Sequence, residues 1–198
     1  MNTKNFPLSR DQLEELSREY PTPFYLYDEK AIRLNVRQLR AAFSVFTNFK
    51  EHFAVKALPN PYILKILASE GLGADCSSIP ELLLADMVGM KGEIIMFSSN
   101  ETPAKEYIKA RELGAIINLD DITHIDFLEK VLEKPNAMPP ARRALPKALR
   151  GLPELISCRY NPGPLKKGNI IIGKPEEAKY GLPGNSFSKV TSGSSQRA

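Results

Sequence analysis

The stretch His52-Phe53-Ala54-Val55-Lys56-Ala57, followed by Leu58-Pro59-Asn60-Pro61, reads as a short apolar strand that opens through a loop into a helix. Side chains on a strand alternate between its faces, so this reading puts Ala54 and Lys56 on one side and Phe53, Val55 and Ala57 on the other. An ammonium carried on such a strand has two readings. It escapes into solvent as a strand-end cation, or it sits in a desolvated pocket as a usable Schiff-base nucleophile.

Working outward, the same unit recurs: strand, capping residue, amphipathic helix, glycine. After the first strand, Asn60 is an N-cap and Pro61 a first helical residue, Ile63, Leu64, Ile66 and Leu67 form an apolar stripe, and Gly71 is the stop. A second strand is expected over Leu72 to Cys76, with a helix from Ser78 to Gly89. A third is expected over Ile94 to Phe97, with a helix from Thr102 and Pro103 to Gly114. A fourth is expected over Ala115 to Leu119, with a helix from Asp121 to Leu132. Strand starts at 52, 72, 94 and 115 keep a pitch of about 21 residues, which predicts parallel strands joined by right-handed helical crossovers. No glycine-rich phosphate fingerprint follows the first strand, so the expectation is a (β/α) barrel of the TIM type rather than a dinucleotide fold. Chemistry in such a barrel belongs at the C-terminal ends of the strands, where Lys56, Asp75 and Arg159 fall.

The fifth strand, Leu155 to Tyr160, comes 40 residues after the fourth. The excess, residues 134–153, holds Pro135, Pro139, Pro140, Pro146 and Pro153 and cannot be one helix. It reads as an insertion with a short helix around Arg143 to Leu149. Ahead of the barrel, residues 1–50 are expected to supply a helix (Ser9 to Tyr20), a strand (Pro23 to Tyr27) and a helix (Asp28 to Phe43). The partial barrel itself is expected over 51–182, with a disordered tail over 183–198.

The 198-residue chain carries 27 basic and 23 acidic side chains, net +4, spread along its length. That distribution argues against a nucleic-acid partner, and Arg142, Arg143, Lys147 and Arg150 read as a solvated connector. Cys76 and Cys158 lack metal-ligand spacing and read as small core residues of a reducing compartment, so no metal is expected. No apolar run approaches the roughly 20 residues of a membrane span, and the first residues have no signal-peptide core. The expectation is a cytoplasmic protein without a membrane partner.

Phe53-Ala54-Val55-Lys56-Ala57, Asn60-Pro61, Gly71-Leu72-Gly73-Ala74-Asp75-Cys76-Ser77-Ser78, Glu81-Leu82, Arg159-Tyr160-Asn161-Pro162-Gly163 and Lys179-Tyr180-Gly181 occur in this order over about 130 positions. In these residues the chain resembles the N-terminal domain of the pyridoxal-phosphate-dependent ornithine/diaminopimelate/arginine decarboxylases, with Asn-Pro-Gly after Arg159 favouring the diaminopimelate branch. The resemblance implies an alanine-racemase-like (β/α)8 barrel, pyridoxal 5'-phosphate bound through Lys56, decarboxylation of meso-diaminopimelate to L-lysine, and a homodimer in the family. It implies further that Asp75 and Arg159 lie close to the cofactor and Glu81 near the active site.

Each residue keeps a plain reading beside the implied one. Asp75 also reads as a loop aspartate solvating a strand end, and Arg159 as a strand-end cation. Glu81 also completes a capping box with Ser78. His52 reads as a packed or hydrogen-bonded residue as well as a base, and His124 lies in the first turn of a helix. Five strand candidates are fewer than the eight of a closed barrel, so the chain is expected to be an N-terminal portion lacking the C-terminal β-domain and having little turnover alone. The alternatives are a non-catalytic fragment or partner of a full-length decarboxylase, or a relative acting on ornithine, arginine or carboxynorspermidine.

Overall fold

A computed structural model of the chain describes residues 6–133, 151–161 and 181–183. The chain divides into two compact units, Met1–Thr47 and Asn48–Ala198. The first holds α1 (Arg10–Glu19) and α2 (Glu29–Ala42). Ser9 caps α1 in a reciprocal box, with Gln12 N donating to Ser9 Oγ at 3.3 Å and Ser9 N to Gln12 Oε1 at 2.8 Å. Asp28 Oδ1 accepts from Ala31 N at 3.0 Å at the start of α2. The strand expected over Pro23 to Tyr27 does not form. A strand exists only by pairing, and no described segment offers these residues an edge. Tyr25 is 90% exposed and stacks on Tyr27 with ring centroids 6.4 Å apart.

The second unit alternates as its glycines and caps dictate: β1 (His52–Ala54), α3 (Pro61–Ser69), β2 (Gly73–Cys76), α4 (Ile79–Met87), β3 (Ile95–Phe97), α5 (Ala104–Leu113), β4 (Ile116–Leu119), α6 (Thr123–Glu133) and β5 (Ile156–Cys158). Asn60 Oδ1 accepts from Tyr62 N and Ile63 N to start α3. Gly114, at φ +72°, closes α5 in the left-handed region that disfavours any residue with a Cβ. All five strands are parallel, and their order in the sheet is their order in the chain. A doubly wound sheet reverses its strand order at a switch point, whereas unbroken sequential order is how a (β/α) barrel winds.

Register separates the two faces of this sheet. Ala74 and Ile95 are partners, and so are Cys76 and Phe97, Phe97 and Ile117, Ile117 and Ile156, and Leu119 and Cys158. These residues meet Leu64, Leu82, Ala85, Tyr107, Ala110, Leu113, Leu128 and Leu132 of the helices in one continuous core. Burying each large apolar side chain there contributes about 1.5–3 kcal/mol. Phe97, Tyr107 and Phe127 extend the core as an aromatic chain with centroid spacings of 6.4 and 6.0 Å. The opposite face carries His52, Ala54, Asp75, Met96, Asn118 and Ser157.

Two expectations change. β1 ends at Ala54, and Val55–Ala57 forms a 3-10 turn. Val55 stays on the core side with Phe53, as alternation expects, and the 3-10 turn ends the strand before Lys56, which is exposed on that turn. The expected strand Leu155 to Tyr160 divides at Arg159: its N donates to Leu119 O at 2.9 Å beside β5, and the chain then leaves the sheet. β6 (Tyr160–Asn161) pairs in parallel with β7 (Leu182–Pro183) as a separate two-stranded ladder. Residues 134–150 of the expected insertion, including its helix around Arg143 to Leu149, lie outside the described residues, as do Pro162, Gly163, Lys179, Tyr180 and residues 184–198 of the expected tail. Among the described residues no helix is long and apolar enough to cross a membrane, and no group of three or more His, Cys, Asp or Glu could hold a metal ion.

Candidate functional site

The face of the sheet turned away from the helices holds a cleft of about 320 Å³ lined by His52, Asp75, Met96, Ser98, Asn118, Ser157 and Arg159. Each strand contributes through its period of two, so the cleft is a direct product of register. At its β1 end, His52 Nε2 donates to Glu93 O at 3.2 Å. The His52 ring lies over Gly73, where a Cβ would sit 2.6 Å from His52 Cδ2 and 2.3 Å from Ile94 O. Only a residue without a side chain fits there, two positions before Asp75.

Asp75 Oδ1 accepts from Ser98 Oγ at 2.5 Å. Ser98 N donates to Cys76 O at 2.8 Å, continuing the ladder between β2 and β3 one step past Phe97. Across the cleft a second chain of polar contacts crosses β4 and β5. Ser157 Oγ donates to Asn118 Oδ1 at 2.9 Å, Asn118 Nδ2 donates to Asp120 Oδ1 at 3.3 Å, and Arg159 Nε lies 3.3 Å from that same Asp120 oxygen. Asp120 is only 5% exposed, and its Oδ2 has no hydrogen-bond partner among the described residues. Burial pushes its carboxyl above the ordinary aspartate value, opposed by Arg159, His124 and the Asn118 hydrogen bond. Gly181 N donates to Asp120 O and Leu182 N to Arg159 O, which ties this corner to β7.

Of the residues singled out in the sequence, His52, Asp75 and Arg159 meet in the cleft. Lys56 and Glu81 are not among its lining residues. Lys56 is exposed on the turn just beyond the C-terminal end of β1, two residues past Ala54, which is the register partner of Asp75. Glu81, 8% exposed, accepts from Ser77 N at 2.9 Å, Ser77 Oγ at 3.0 Å and Ser78 Oγ at 2.8 Å. The expected capping box is thus altered: the Ser78 hydroxyl donates to Glu81 and makes no cap to the helix. The result is a braced Ser77-Ser78 loop directly after β2. His124 lies in the first turn of α6 as expected, with Nδ1 buried and without a hydrogen-bond partner among the described residues.

Sequence reading missed Ser98, Asn118, Asp120, Ser157 and Glu106. Glu106, 8% exposed on α5, accepts from Ile79 N at 3.1 Å and Ser99 Oγ at 3.4 Å, so it caps the neighbouring helix α4. Its signal was its phase, because Glu106, Ala110 and Leu113 occupy one buried stripe. Cys76, beside Asp75, is pushed up to about 12 by burial, with the Glu81 and Asp75 charges adding to it, which excludes it as a thiolate nucleophile near neutral pH. A second depression, about 490 Å³ along α2 between Glu29, Lys30, Arg33, Leu34 and Arg37, draws on one helix and gathers no convergent set of groups.

Residues 31–182 match the family described as pyridoxal-dependent decarboxylase, pyridoxal binding domain. The chain is 38% identical over 178 residues to the protein TabA of Pseudomonas amygdali pv. tabaci, covering 90% of this chain and 36% of that protein. It is 36% identical over 171 residues to a diaminopimelate decarboxylase of Methanothermobacter thermautotrophicus, covering 85% of this chain and 36% of that one. Among solved structures, a diaminopimelate decarboxylase from Helicobacter pylori complexed with L-lysine matches with a TM-score of 0.65 at 30% identity, over 89% of this chain and 41% of that chain. The chain therefore spans a little over a third of the length of the curated relatives it matches.

Proposed function

This chain belongs to the pyridoxal-dependent decarboxylases through their pyridoxal-binding domain, and from that premise we propose that it forms the cofactor-holding part of an amino-acid decarboxylase acting on meso-diaminopimelate. The observation that carries the reading is the polar cleft on the inner face of a sequentially ordered parallel sheet, beside the turn that bears Lys56. Its volume of about 320 Å³ lies within the range of roughly 300–1,000 Å³ for small-molecule sites, and its wall offers a carboxylate at Asp75 and a guanidinium at Arg159. These groups fit a planar cofactor bearing a cationic ring system and a phosphate.

When bound, pyridoxal phosphate supplies an electron sink for the pair left by a departing carboxylate. The chain's own residues do the rest. Lys56 supplies the amine that holds the cofactor, from a turn where its side chain is open to incoming molecules. Asp75 holds a negative charge on the inner face against a cationic nitrogen. Arg159 is steered by Asp120 and offers its charge to an anionic group of the ligand. Glu81 acts at one remove, by fixing the Ser77-Ser78 loop that follows the Asp75 strand, and His52 braces the β1 end of the cleft.

Incubating the purified chain with pyridoxal phosphate, reducing with borohydride and mapping the labelled peptide tests the reading. Stoichiometric label confined to Lys56, lost in Lys56→Ala, supports it. Label scattered over many lysines, or none, refutes it. Release of carbon dioxide from meso-diaminopimelate, compared with lysine, ornithine and arginine, then tests the substrate. The comparison is needed because the chain is 38% identical to TabA and 36% identical to the diaminopimelate decarboxylase of Methanothermobacter thermautotrophicus.

A further inference from the structure

The inner face gives Asp75 one side-chain partner among the described residues, the hydroxyl of Ser98. Asp75 pairs in the ladder with Met96, and Ser98 is the next residue of the same segment to return to that face. The hydroxyl is held in place by the backbone, because Ser98 N is tied to Cys76 O at 2.8 Å, so it is anchored on the very strand that carries Asp75. A serine hydroxyl has one proton to give, and here it goes to Asp75 Oδ1. That leaves Asp75 Oδ2 for a second donor, and both residues line the cleft. A carboxylate fixed at one oxygen keeps its other oxygen at a constant place, whereas a free aspartate side chain turns between rotamers.

We propose that Ser98 is a positioning residue: it fixes the Asp75 carboxylate so that its second oxygen meets a cationic nitrogen of pyridoxal phosphate in the cleft. The proposal rests on the function proposed above and concerns a residue outside the motifs that carry the family resemblance. Ser98 touches no reacting atom in this role, so its effect is transmitted wholly through Asp75.

The test is a double-mutant cycle read as the dissociation constant of pyridoxal phosphate, from spectrophotometric titration of the cofactor-free chain, together with the borohydride-fixed label at Lys56. Losing one hydrogen bond that acts on the cofactor only through Asp75 predicts about 3- to 10-fold weaker binding in Ser98→Ala. In an Asp75→Asn background the same change should have no further effect, because the group it acts through is gone. Ser98→Thr, which keeps the hydroxyl, should bind within about 2-fold of the unaltered chain, and an undiminished circular dichroism spectrum establishes that each variant folds. Unchanged binding in Ser98→Ala, or an equal loss in the Asp75→Asn background, overturns the proposal. If Asp75→Asn binds too weakly to titrate, the threonine variant decides: recovery supports the proposal and failure to recover overturns it. Absence of label at Lys56 in the unaltered chain sinks the functional reading and this role with it. Label at Lys56 combined with an additive cycle removes the positioning role alone.

Discussion

Replacing Gly73 with alanine sets a methyl group 2.3 Å from Ile94 O and 2.6 Å from His52 Cδ2, where ordinary contact begins near 3.4 Å. The shortfall is roughly 1 Å against two different obstacles. The His52 ring can rotate aside at the loss of its 3.2 Å hydrogen bond to Glu93 O. The Ile94 carbonyl belongs to the 3-10 turn Gly92–Ile94 that feeds β3, and it moves only if that turn moves. Gly73 cannot retreat either, because its N donates to Glu51 O at 2.8 Å and its register partner is His52. Overpacking of this kind costs about 1–3 kcal/mol. With a urea m-value of about 1–3 kcal/mol/M, the unfolding midpoint should fall by roughly 0.5–1.5 M. The double variant His52→Ala/Gly73→Ala should regain little, since the carbonyl stays in the way. A midpoint unchanged within error in Gly73→Ala, or full recovery in the double variant, would refute the argument from the rigid backbone.

The remaining expectations concern titration and reactivity. Burial raises the Asp120 carboxyl above its ordinary 3.8, so the folded chain holds a proton there that the unfolded chain has already lost. Stability from this group therefore falls as pH rises through the window just above 4, and Asp120→Asn should flatten that slope in thermal unfolding between pH 4 and 6. A difference between the two proteins that does not vary with pH would contradict this. Asp86 works in the opposite sense: hydrogen bonds from Lys109 and Lys91 lower its carboxyl, so its contribution is present above 3.8 and fades as acid protonates it. Cys76, pushed up to about 12, should resist a thiol reagent at pH 8 until the chain unfolds, while half-buried Cys158 reacts first. Prompt labelling of both cysteines would show the core around β2 to be more open than its packing indicates.

How far the sequence could be read depended on the range of the forces involved. The β/α rhythm was legible because it is local: Asn60 and Pro61 start α3 through their own amides and ring, and Gly114 ends α5 through its own φ. The end of β1 was read too late: Val55 lies on the core side as alternation expects, but the chain turns into a 3-10 helix at Val55–Ala57, and no period of two reveals where a strand stops. Ser98, Asn118, Asp120 and Ser157 were missed for a different reason. None belongs to a motif, and each acquires meaning only when register brings it beside a residue from another strand. Glu106 stands between these cases, since its place in a buried stripe was visible but its partner, the amide of Ile79, is 27 residues away in the chain.

A parallel sheet packed for stability alone is apolar on both faces. This one is apolar only toward its helices. Six polar or charged side chains line its inner cleft beside Met96, and burying such groups is costly unless each is hydrogen-bonded or paired. The two contact chains, Ser98 to Asp75 and Ser157 through Asn118 and Asp120 to Arg159, supply that pairing. They pair the face without filling it, leaving Asp120 Oδ2 without a partner among the described residues and a cleft of about 320 Å³ lined by Asp75 and Arg159. Apolar replacements of similar volume would hold the strands together at least as well, so packing does not account for this composition. Under the function proposed above, what accounts for it is a ligand carrying both charge signs, met by the Asp75 carboxylate and the Arg159 guanidinium that line the cleft. Pyridoxal phosphate makes that demand in the proposed reading, and strand register brings both groups to the wall of one cleft.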